Sequence, residues 1–149
     1  MNIVEIGVVR SPVLEARDHD WNSIVSKIHL IPEYVPGLQG IEQFSHLIIL
    51  YFMHQASFDP ATDLVRRPRE RADMPRVGIF AQRARHRPSR IGISTVELIS
   101  VASGVLEVRG LDAIDGTPVL DVKPYFPAFD RAEEATVPDW VGALMKNYF

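Results

Sequence analysis

Apolar positions along this chain come in short alternating runs rather than helical stripes, which predicts a succession of strands. Asn2–Arg10 (NIVEIGVVR) is rich in Val and Ile and stops at Ser11-Pro12, a strand followed by a turn. Lys27–Ile31 predicts a second strand, and Pro32–Gly37 a turn region. Glu42–Phe44 predicts one helical turn before Ser45–His54 (SHLIILYFMH), which is apolar on both parities. A strand buried on both faces and a short core helix both fit that run, with the β-branched and aromatic content favouring the strand. Ser57–Pro75 holds three prolines and much charge, the pattern of a long functional loop. Arg76–Ala81 returns as a strand. Gly92–Val101 alternates, and Ser103-Gly104 predicts a hairpin into Val105–Arg109. Asp115-Gly116 marks another turn, Thr117–Lys123 another strand, and Val137–Lys146 a short helix near the C-terminal end. Short strands, tight turns and few helices predict a mainly β fold: a compact β-barrel with short peripheral helices.

Composition adds limits. The 149 residues are 46% apolar and 23% charged, the balance of a globular domain with a real core. No cysteine is present, which removes disulfides and thiolate chemistry and fits a reducing compartment. The chain has neither a glycine-rich strand-to-helix turn nor a metal-ligand spacing among its five histidines. No apolar run reaches the ~20 residues that span a bilayer, so a cytoplasmic protein without membrane or metal partners is expected. Charge is uneven. Residues 66–90 carry nine arginines against Glu70 and Asp73, a net of +7 within a chain of net −3. A solvated loop and an anion-binding rim both fit such a run.

Three segments can carry chemistry. His46 and His54, eight apart, would share a face of one regular strand; capping of a core strand explains them equally well. The stretch GIFAQRARHRPSRIGIS (78–94) fans Arg83, Arg85, Arg87 and Arg90 around Pro88, and arginine grips phosphate or carboxylate through two parallel bonds. In DAIDGTPVLDVKPY (112–125), alternation puts Asp121, Lys123 and Tyr125 on one strand face, opposite Leu120 and Val122. That face reads as an active-site wall or as the wet side of an edge strand.

Together these segments resemble the TrmO/YaeB family, with its TsaA-like (VirR-like) domain. The resembling residues are Ile6-Gly7 with Ser11-Pro12, Gly40–His46 (GIEQFSH), Gly78–Ala81 with Arg83, Arg87-Pro88 and Ile91–Ser94, and Asp112–Asp130 (DAIDGTPVLDVKPYFPAFD). The similarity runs from near residue 5 to residue 130. It implies one TsaA-like domain over 1–149, without the additional C-terminal domain of longer relatives. It also implies a β-barrel methyltransferase that uses S-adenosyl-L-methionine to methylate N6 of the adenine 3′ of the tRNA anticodon. That base already carries a threonylcarbamoyl group in the best-known members. On the matching positions the resemblance puts the cofactor at His54, Gln55, Arg83, Ile93 and the turn Asp115, Gly116, Thr117 and Pro118. Asp121, Lys123 and Tyr125 are then candidate catalytic groups. Arg66, Arg67, Arg69, Arg71, Arg85, Arg87 and Arg90 are candidate tRNA contacts, and a homodimer is the implied assembly. Two departures make the loop more basic and less stiff: Ala84-Arg85 stands where the family usually has Ser-Pro, and Ser89-Arg90 where it has Asn-Pro. A non-tRNA acceptor and a non-catalytic S-adenosylmethionine-binding protein remain as alternatives.

Overall fold

The computed structural model describes residues 2–149. The strands are β1 (Gly7–Arg10), β2 (Val25–Leu30), β3 (His46–Phe52), β4 (Val65–Arg66), β5 (Val77–Gly78), β6 (Ile91–Ala102), β7 (Val105–Arg109) and β8 (Pro118–Pro124). Six of them close into one antiparallel barrel in the order β1-β2-β7-β6-β3-β8, and β4-β5 form a separate ribbon. Closure removes the exposed edges that strands this short would otherwise present. The helices are small and peripheral: α1 (Pro60–Asp63), α2 (Pro127–Asp130) and α3 (Asp139–Met145). The barrel expected from alternation is present.

Strand parity builds the core. On β3, Leu47, Ile49 and Tyr51 point inward and join Val9, Ile28, Val96, Leu106, Val108 and Val119. Each such aliphatic side chain contributes about 1.5–3 kcal/mol by leaving water. β3 is therefore a strand, not the core helix its composition also allowed. It pairs on one side with β6 and on the other with β8, but its outward residues Ile48, Leu50 and Phe52 are only partly covered, so the strand is not buried on both faces. β6 pairs with β3 along its first half and with β7 along its second, and the register breaks between Leu98 and Ser100 where the strand turns the corner. Ser103 and Gly104 have φ of 50° and 77°, the conformation a two-residue hairpin turn needs.

Several expectations are corrected. The first strand starts at Gly7, not Asn2: Gly7–Arg10 pair with β2, and Gly7 and Val8 pair with β8 as well. Residues 57–75 are not a bare loop, since they hold α1, β4 and a 3-10 turn at Pro68–Glu70. Arg76–Ala81 is strand only at Val77–Gly78 and then a 3-10 turn. β3 ends at Phe52, so His54 lies beyond it; His46 starts the strand, and the two histidines stand at opposite ends. Leu50 pairs with Asp121 but Tyr51 with Val119, a bulge that skips Leu120. Val122 consequently packs on the core while Leu120 does not, so the two do not share a face as strict alternation required.

Candidate functional site

The chain leaves the barrel after β3 and returns at β6, and arginines fasten this excursion to backbone carbonyls. Arg76 Nη2 donates to Val65 O at 3.1 Å, Arg87 Nη1 to Gln82 O at 3.0 Å and Arg90 Nη1 to Ala56 O at 2.9 Å. Arg67 donates to the carbonyl of Met74. Buried Gln82 donates to Arg66 O at 3.0 Å and Val77 O at 2.9 Å. Arg66 lies 3.5 Å from Asp63, Arg69 3.6 Å from Asp18, and Arg71 2.6 Å from Asp73. The basic run thus carries structure as well as charge. Arg85 is exposed and donates only to His86 Nε2, at 3.1 Å, a ring that in turn meets Ser57 O at 2.9 Å.

The turn at 115–118 sits where β8 begins beside β1. Asp115 N donates to Val13 O at 2.8 Å and Gly116 N to Val9 O at 2.9 Å. Asp115 Oδ1 accepts from Ser11 N at 3.0 Å. Thr117 Oγ1 stands 3.5 Å from His54 Nδ1, which brings the residues after β3 to the turn. Gln55 follows, exposed. On the adjoining strand Arg83 Nη2 donates to Ile93 O at 3.0 Å, while the Ile93 side chain is 48% exposed on the outer wall. Leu50 lies between, paired with Ile93 on one side and Asp121 on the other.

A groove of about 400 Å³ opens beside the turn, lined by Pro118, Leu120, Phe52, Ile91, Ser89 and Glu5, with Ile3 at its edge. It is open to solvent, its wall is mostly apolar, and a second depression of about 360 Å³ lies by Ile48, Lys123, Pro124 and Phe126. The Arg90 guanidinium covers the Phe52 ring at 4.5 Å. Sequence reasoning missed Phe52, Leu120 and Glu5 as lining residues. The only available signal was the apolar outer parity of β3, and the bulge that turns Leu120 outward leaves no mark in composition.

Asp121, Lys123 and Tyr125 are spread along the outer wall. Lys123 Nζ is 2.6 Å from Asp121 Oδ2, and this bond holds the ammonium above its usual range. Asp121 is two strand spacings, ~10 Å, from Ile93 across the sheet. Tyr125 is at the far end: its backbone N–H donates to His46 O at 3.0 Å, roughly 20 Å along the strand from the turn. One protomer therefore brings His54, Arg83, Ile93 and the turn to one end of the barrel but leaves Tyr125 at the other.

A further cluster was not foreseen. Tyr51 donates to Asp112 Oδ1 at 2.9 Å, Ser94 to the same oxygen, and Tyr148 to Asp112 Oδ2 at 2.8 Å. Burial, and then the Asp112 charge, push both phenols far above their ordinary value of 10.0. A phenol whose folded pKa is raised contributes stability that is complete below pH ~10 and lost as pH climbs beyond it. Thermal unfolding followed from pH 8 to about pH 11 should show an alkaline decline that shrinks in Tyr148→Phe. An unchanged decline would mean that other groups control it.

Among the described residues no group of three or more His, Asp or Glu side chains is placed to hold a metal ion, and no helix is long and apolar enough to cross a membrane. What the fold and site define is a closed antiparallel barrel with an open groove beside the turn and a basic excursion between β3 and β6. Residues 12–131 match the family model of the tRNA-methyltransferase O N-terminal domain, and the chain belongs to that family. It is 38% identical over 147 residues to a probable S-adenosyl-L-methionine-binding protein of Pyrococcus abyssi, covering 95% of this chain and 75% of that protein. It is also 38% identical over 143 residues to the Escherichia coli tRNA (adenine(37)-N6)-methyltransferase, covering 89% of this chain and 60% of that one. The crystal structure of TrmO from P. aeruginosa superposes with a TM-score of 0.76 at 32% identity, over 94% of this chain and 61% of that chain. The chain thus spans about three fifths of the tRNA methyltransferase and of the solved TrmO chain.

Proposed function

We propose that this chain binds S-adenosyl-L-methionine at the 115–118 end of the barrel and transfers its methyl group to N6 of the adenine 3′ of the anticodon in tRNA. The base at that position would already carry the threonylcarbamoyl group. The reading draws on two contacts, His54 with Thr117 of the turn and Arg83 with Ile93 of β6, and on a groove walled by their chain neighbours Phe52, Ile91 and Pro118. The residues fit the ligand. Arg83 keeps donors beyond the one on Ile93 O and can fork onto a carboxylate. His54, Gln55 and the backbone of Asp115, Gly116, Thr117 and Pro118 offer the polar edge an adenine needs, and Phe52, Ile91 and Pro118 offer the apolar wall.

The bound cofactor supplies an electrophilic methyl on a sulfonium. The protein's part is to align the acceptor nitrogen with it and exclude water. An exocyclic adenine amine is a weak nucleophile, so a carboxylate that accepts its proton as the new bond forms lowers the barrier. Asp121 takes that role, with Lys123 holding it and Tyr125 at the acceptor side. Because Tyr125 is remote from the turn of its own barrel, the working unit is a homodimer joined through the apolar outer wall around Ile93 and Leu50. Asp121→Asn should cut turnover about 10²–10⁴-fold while leaving cofactor affinity within twofold. Single-turnover kinetics beside calorimetry reads both, and a wild-type rate removes Asp121 from the mechanism.

For the RNA, Arg85 is the exposed contact; Arg87 and Arg90, each with one nitrogen on a carbonyl of the excursion, and Arg66, Arg67, Arg69 and Arg71 extend the basic surface. An anticodon loop leaves its bases unpaired, so no duplex need be opened. A cytoplasmic location belongs to this reading. A second reading, a cofactor-binding protein without this catalysis or with another acceptor, draws on the separation of Tyr125 from the turn. Labelled cofactor incubated with bulk tRNA, followed by nucleoside analysis, decides: N6-methylated adenosine supports the first reading, and unlabelled tRNA supports the second.

A further inference from the structure

Asp112 is a carboxylate satisfied entirely by hydroxyls, those of Tyr51, Ser94 and Tyr148. It stands three residues ahead of Asp115. Leu111 and Ala113 on either side are buried in the core, which fixes the backbone that leads from Asp112 to the turn. Tyr148 reaches Asp112 with its hydroxyl and supports a second segment with its ring, over which the Arg69 guanidinium lies at 5.3 Å. The same stretch is pinned by Asp20 N to Asn147 O and Trp21 N to Tyr148 O, both at 2.9 Å. Arg71 Nη1 donates to Ala143 O at 3.4 Å, which ties the arginine segment to the C-terminal helix α3 as well. Arg69 and Glu70 have φ of 51° and 56°, a left-handed pair of non-glycine residues that persists only where its surroundings hold it. Arg69 is held by Asp18 on one side and Tyr148 on the other.

The geometry points to Tyr148 as a positioning residue that couples the arginine segment 66–71 to the turn at 115–118. This rests on the function proposed above and adds to it a route between the two ligands. A polyanion on the arginine segment orders what Tyr148 leans on. An ordered Tyr148 fixes Asp112 and the turn, so less remains to be ordered when the second ligand arrives. The effect is reciprocal, since coupling is a property of the pair of sites.

The test uses S-adenosylhomocysteine, which has no methyl to transfer, and bulk tRNA as the two probes. In the wild type its Kd should fall about fivefold or more when tRNA is saturating. Tyr148→Phe keeps the ring under Arg69 and removes the bond to Asp112, and should bring that ratio to within twofold of one. Arg69→Leu cuts the route at its outer end and should abolish the ratio too, whatever it does to RNA affinity. A wild-type ratio of one, or an undiminished ratio in Tyr148→Phe, overturns the inference while leaving the cofactor site standing. Failure of the wild type to bind S-adenosylhomocysteine at all overturns both.

Discussion

Gly92→Ala is expected to lower the free energy of unfolding by about 3 kcal/mol, a large share of what a domain of this size possesses. Gly92 faces Tyr51 across the β3–β6 ladder, and a Cβ built there overlaps the phenol ring. The ring cannot step aside, because Tyr51 is 5% exposed and its hydroxyl is tied to Asp112. Overpacking alone costs about 1–3 kcal/mol, and detaching a buried donor from its carboxylate adds a comparable amount. Urea unfolding measures the loss. In a Tyr51→Ala background, itself destabilised by the lost ring, Gly92→Ala should cost much less than in the wild type, because the three atoms nearest a Cβ at 92 all belong to the Tyr51 ring. Strict additivity of the two changes would mean that the steric account is wrong.

That contact illustrates what the sequence made legible and what it did not. The barrel was readable because its strands obey parity: Leu47, Ile49 and Tyr51 on one side of β3, Ser94 and Val96 on one side of β6. Turn chemistry was readable for the same local reason, as at Ser103-Gly104. The bulge at Leu120 was not readable, since a single skipped partner depends on how β8 must curve to meet both β1 and β3. The separation of Tyr125 from the turn follows from strand rise: Pro118–Pro124 run extended, which sets Tyr125 roughly 20 Å from the turn with Asp121 and Lys123 between. The arginine run misled in a different way. Its charge suggested a free rim, yet Arg67, Arg76, Arg87 and Arg90 each donate to a carbonyl of the same excursion. A guanidinium has five donors, so a structural bond and an anionic ligand are compatible on one side chain. The Asp112 cluster gave no signal, since its partners lie 18, 36 and 61 residues away.

Arg83→Leu is expected to have the largest effect on ligand binding, weakening S-adenosylmethionine about 10- to 100-fold. The figure follows from ~1.5–3 kcal/mol for hydrogen bonds to a charged group at an accessible site. Arg83 is anchored by one nitrogen on Ile93 O at 3.0 Å, which orients the guanidinium and leaves a fork for a carboxylate. Arg83→Lys keeps the charge but has no planar fork, so most of the loss should persist. Calorimetry on the three proteins gives the affinities, and a cofactor analogue lacking the carboxylate separates causes. If Arg83 grips the carboxylate, that analogue binds the wild type and Arg83→Leu equally well. If the analogue shows the same 10- to 100-fold difference between the two proteins, Arg83 acts by holding Ile93 and its strand end in place, and the carboxylate is bound elsewhere.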